Sequence, residues 1–193
     1  MKRVVLLVAV VVMLGTQAFA TSITYTVVLD QNETVPTGST GTGTATILFD
    51  TTAHTMTIAV AFLGLLGTTT ASHIHCCTPA ANSGPAGVAT TTPSFAGFPL
   101  GVNSGTFTNI LDMTLASSYN PAFVTAQGGI SNAENALLAG AAAGEAYLNI
   151  HTSRNPGGEI RGFLQPVSVP EPSSLALLGA GLGGIVLFRR RMA

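Results

Sequence analysis

Charge is what this sequence has least of. Only 8% of its 193 residues are Asp, Glu, Lys or Arg, against about a quarter in an ordinary soluble domain. Five of the seven basic residues stand at the ends: Lys2 and Arg3 at one, Arg189, Arg190 and Arg191 at the other. Between residues 21 and 168 there is no lysine, and two arginines stand against seven acids, a net charge of −5. Neutralising a phosphate backbone takes clustered cations, so nucleic-acid binding is excluded. Disorder is excluded as well, because hydrophobic content is 47% and a high charge density is missing. No Ser-His-Asp order or paired-carboxylate pattern is present, so the chain is not expected to be an enzyme. The middle is long enough for one domain with a real core and too short for two.

The ends read as addresses. Residues 1–20 have the layout of a secretory signal peptide: Met1-Lys2-Arg3 as the positive segment, Val4–Gly15 as the apolar one, and Ala18-Phe19-Ala20 as a small-x-small cleavage site. At the other end Val169-Pro170-Glu171-Pro172 breaks the preceding structure. The apolar run Leu175–Phe188 then seeks lipid, and Arg189, Arg190 and Arg191 hold the cytoplasmic side. Each apolar run is short for a bilayer core of about 30 Å. Both segments are expected as hydrophobic helices flanking the domain, the second giving transient inner-membrane anchoring. Residues 169–193 closely resemble the PEP-CTERM sorting signal of Gram-negative bacteria. That resemblance implies an exosortase-type processing enzyme as partner, export to the cell surface or extracellular matrix, and association with exopolysaccharide.

Residues 21–168 read as a single all-β domain, an antiparallel sandwich or Greek-key barrel. Period-two alternation marks strands at Ile23–Leu29, Thr44–Phe49, Met56–Phe62, Thr106–Met113 and Ala146–His151. Asp50–Thr55 is expected as a hairpin connection. One short crossover helix is predicted, opened by Ser131-x-x-Glu134 as a capping box and stopped by Gly144. Thr78–Gly105, rich in Pro, Gly, Ser and Ala, is expected to be a functional loop or to hold short strands.

Three patches carry chemistry. In Ser72-His73-Ile74-His75-Cys76-Cys77 a strand would put His73 and His75 on one face. In Tyr147-Leu148-Asn149-Ile150-His151-Thr152 the same alternation aligns Tyr147, Asn149 and His151. Asn155-Pro156-Gly157-Gly158-Glu159-Ile160-Arg161-Gly162 is a glycine turn feeding a strand that shows Glu159 and Arg161 together.

These patches, with Gly84-Pro85-Ala86-Gly87 and the early Leu29–Pro36 turn, resemble the chordin-type CHRD domain over residues 23–166. The resemblance implies an extracellular β-rich structural or interaction module with no settled biochemical activity. It departs from the family at Cys76-Cys77, where a Gly-Pro turn is commoner.

Two readings of the histidines stay open. His73, His75 and His151 could form a copper or zinc site, or their side chains could be structural, paired with neighbouring polar groups. The adjacent Cys76 and Cys77 leave three readings: a vicinal disulfide, soft metal ligands beside the histidines, or intermolecular bridges. Glu159 and Arg161 are expected as a structural ion pair.

Overall fold

The computed structural model describes residues 22–31 and 35–167. The signal peptide, the sorting segment with its flanking helices, and Glu33 lie outside the described residues. Among the described residues no helix is long and apolar enough to cross a membrane.

Among the described residues eight strands form two antiparallel sheets. The larger contains β1 (Ser22–Leu29), β2 (Thr42–Asp50), β3 (Thr55–Leu63), β5 (Gly105–Asp112) and β8 (Gln165–Pro166), in the order β5-β3-β2-β1-β8. The smaller contains β4 (Thr69–His75), β6 (Tyr147–Thr152) and β7 (Ile160–Phe163), in the order β4-β6-β7. The strands that alternation marks are β1, β2, β3, β5 and β6. In β2, for instance, Gly43, Ala45, Ile47 and Phe49 are buried while Thr42, Thr44 and Thr46 are exposed. The expected hairpin joins β2 to β3 in full register, from Asp50 opposite Thr55 to Thr42 opposite Leu63.

The core lies between the sheets. Tyr25, Val27, Ile47, Phe49 and Ile58 come from the larger sheet, and Ile74, Leu148 and Ile150 from the smaller, all essentially inaccessible. The sheets also meet at one edge. Asp30, just past β1, exchanges backbone hydrogen bonds with Arg161 of β7 at 3.2 and 2.9 Å. There Gly162 leaves room for the Val28 backbone that a side chain would occupy.

Two helices, not one, cross between the sheets. α1 (Pro121–Gln127) is capped by the Asn120 side chain, which accepts from the Ala122 amide, and has proline in its first turn. α2 (Ile130–Ala142) starts one residue before the expected capping serine, with Gly129 at its N-cap and no side-chain cap bond. Glu134 therefore does not close a capping box; its carboxylate takes Nδ1 of His54, in the β2–β3 turn, at 3.0 Å. The stretch between β4 and β5 contains no named strand, only isolated bridges such as His75 to Val88. It wraps the outer face of the smaller sheet, which explains why every residue of β6 and β7 is buried.

Candidate metal centre

Residues directly opposite in an antiparallel pair point to the same face. His73 stands opposite Asn149, His75 opposite Tyr147, and Ala71 opposite His151. Asn149 in turn stands opposite Arg161 of β7. His73, His75, His151, Asn149, Tyr147 and Arg161 thus share the outer face of the smaller sheet, while Ile74, Leu148 and Ile150 fill the core. The loops close over this face, and the three histidines are 6, 8 and 9% exposed.

Each imidazole is fixed by one backbone carbonyl. Nδ1 of His73 lies 3.1 Å from the Pro93 oxygen, Nδ1 of His75 2.8 Å from that of Ala86, and Nδ1 of His151 2.9 Å from that of Pro156. A carbonyl can only accept, so each Nδ1 carries the proton and each Nε2 keeps its lone pair. All three Nε2 atoms are buried without a hydrogen-bond partner. The ligand atoms of the three histidines lie within 4.8 Å of one another. Burial pushes the His73 pKa down to about 3, helped by His151 and His75, against the upward pull of the Pro93 carbonyl. Burial likewise brings His75 to about 4 against the Ala86 carbonyl, and lowers His151 against that of Pro156. The result is three neutral, convergent acceptors with nothing to accept.

Two other groups lie apart from the histidines: the cysteines take the vicinal-disulfide reading, and the expected Glu159–Arg161 pair does not form. Cys76 and Cys77 are joined in a disulfide, and neither belongs to the cluster of convergent ligand atoms. The strand alternation that turns His75 outward turns Cys76 toward the core, where Gly140 of α2 leaves space for both sulfurs. Among the described residues no ion pair joins Glu159 to Arg161. Glu159 precedes β7 and follows the turn inward. It accepts from Ser39 Oγ at 2.7 Å, Thr152 Oγ1 at 2.6 Å, and the amides of Leu66 and Gly67. Arg161 donates to the Gly84 carbonyl at 3.1 Å and lies over the Tyr147 ring, 4.7 Å from its centre. The Tyr147 ring itself stacks on His75, with centroids 4.7 Å apart and planes 6° apart.

Sequence reasoning did not find the carbonyl acceptors of Pro93, Ala86 and Pro156, nor Asn155, whose Nδ2 is buried without a partner. Asn149, which alternation had placed on this face, likewise has its Oδ1 buried without a partner. Backbone carbonyls carry no residue-type signal. The nearest hint is the prolines and glycines in each covering loop.

The CHRD domain family model matches residues 25–164, most of the chain. The chain belongs to the CHRD family. A second model, the PEP-CTERM protein-sorting motif, matches residues 168–191. This motif implies processing by an exosortase-type sorting system and export of the CHRD domain to the cell envelope or surface. No curated protein and no solved structure matches the chain. The segments that carry the CHRD resemblance meet at this one place. His73 and His75 come from the first, Ala86 from the Gly-Pro-Ala-Gly turn, and His151 and Pro156 from the last two. Val35 and Pro36, at the end of the early turn, line a cleft beside His75.

Proposed function

We propose that this exported CHRD protein is a structural module that holds one transition-metal ion, copper or zinc, on Nε2 of His73, His75 and His151. The observation that carries the reading is the convergence of three buried, partnerless Nε2 atoms, each aimed by a carbonyl behind its own ring. Buried polar atoms are nearly always satisfied, and a metal-bound histidine characteristically donates its other nitrogen to a carbonyl or carboxylate. Three imidazoles suit zinc or copper, whereas calcium and magnesium prefer oxygen. A purely structural trio would be expected to hydrogen-bond with one another or with neighbouring side chains.

Metal analysis of the exported protein, purified without added metal, tests the reading. Copper or zinc is expected at one ion per chain, and lost in the double variant His73→Ala plus His75→Ala. Unchanged affinity in that variant overturns it.

A second reading, association with exopolysaccharide, has support from the sorting motif and from the outer face of the larger sheet. Thr26, Thr46, Ala59 and Thr108 lie side by side across four strands there, an uncharged hydroxyl surface suited to neutral sugars. Release of the protein from cells by polysaccharide-degrading treatment supports it. Retention after such treatment counts against it. Neither reading includes a catalysed reaction.

A further inference from the structure

Resting on the metal reading above, we infer that the ion takes its remaining ligand from outside the protein: a small anion admitted through the cleft beside His75. Three neutral imidazoles leave a tetrahedral ion one position short and its charge uncompensated. A buried charge without a counter-charge is costly, and no carboxylate or thiolate of the described residues joins the histidine cluster.

The cleft supplies what such a ligand needs. It has a volume of about 460 Å³ and is lined by His75, Tyr147, Asn149, Arg154, Asn155 and Arg161, among others. Asn149 ties the cleft to the centre, because it stands opposite His73 and two residues before His151 on the same face. The Nδ2 of Asn155 is buried and partnerless, so a donor is already placed for an incoming anion. Arg154 and Arg161 both line the cleft, and none of the described lining residues is acidic. In a domain of net charge −5, Arg154 on the wall of a cleft that His75 also lines favours an anion there over a cation or an apolar molecule. The ligand class is a small anion with an oxygen or nitrogen donor, such as a carboxylate or an azide-like ion.

Azide is the probe, titrated into protein loaded with copper(II), the test of a copper site, or cobalt(II), the coloured substitute for zinc. Absorption and paramagnetic resonance spectra of whichever ion is retained should change saturably with azide. Arg154→Ala and Asn155→Ala should each weaken azide binding, together by about tenfold, with metal affinity kept. A spectrum indifferent to azide, with metal bound, closes the coordination sphere and overturns this inference while leaving the metal reading standing. Equal azide affinity in wild type and both variants also overturns it, by removing the cleft as the route. If neither ion is retained, the metal reading fails and this inference fails with it.

Discussion

At the scale of single residues, the histidines and Glu159 make opposite demands on protons. His73 and His75 are held neutral, with pKa values near 3 and 4, whereas an unfolded histidine titrates near 6.5. A depressed histidine means that the unfolded chain binds more protons as pH falls, so metal-free stability declines from about pH 6.5 downward. At pH 5 the loss is on the order of 2 kcal/mol for each of His73 and His75. Urea unfolding of metal-free protein at pH 7 and pH 5 should show this, and His73→Gln plus His75→Gln should flatten it. An unchanged midpoint between the two pH values refutes the neutral assignment. Burial pushes the Glu159 pKa up, but bonds from Thr152, Ser39, Leu66 and Gly67 outweigh it, and the net direction is down. Its stabilisation is therefore complete above the unfolded glutamate value of about 4.3 and is lost only as pH falls below that. Glu159→Gln keeps the shape, yet one of its two terminal positions becomes a donor. Oε1 faces the Leu66 amide and Oε2 the Gly67 amide, so either orientation sets donor against donor. A loss of about 2–3 kcal/mol in urea unfolding is expected, and a loss below about 0.5 kcal/mol would contradict the geometry.

Among the elements, what was readable in the sequence followed the period of burial. β1, β2, β3 and β5 bury one face, and their alternation showed it. β6 and β7 are buried on both sides because loops cover the smaller sheet, so alternation there says which residues share a face but not which face is wet. The His73, His75 and His151 grouping was legible for that reason, while its coverage was not. Glu159 was misplaced beside Arg161 because strand alternation was extended one residue into a turn. α1 is only seven residues long, too short for a helical period, although Asn120-Pro121 is a cap signal that marks its start. Gly162 shows how tightly the elements meet. A Cβ there would collide with the Val28 carbonyl oxygen and stand 2.7 Å from Val27 Cγ1. Backbone cannot yield as a side-chain tip can, so Gly162→Ala should cost about 3 kcal/mol, at the upper end of ordinary overpacking. A urea midpoint matching wild type would mean that β1 and β7 do not approach as described.

For the whole molecule, the centre joins parts that the sheet alone does not hold. His73 and His75 sit on β4 and His151 on β6, and behind them the Pro93, Ala86 and Pro156 carbonyls belong to the covering loops. An ion on the three Nε2 atoms would fix the ring orientations, and through each Nδ1 the loop behind it. Metal-free protein keeps the sheets, whose core lies on the opposite face, but should hold those loops less firmly. Binding to the folded state alone stabilises by about 4 kcal/mol at a free metal concentration one thousand times Kd. The expected outcome is a metal-dependent rise in Tm, reversed by chelator, with added amide-exchange protection concentrated in residues 84–94 and 153–158 and little change in β1, β2 and β3. Because the Thr-rich sheet lies across the core from the centre, its protection serves as the internal control. Uniform protection over both sheets would point to a global effect, and no change in Tm at saturating copper and zinc would remove the ion from the account of how this fold covers its smaller sheet.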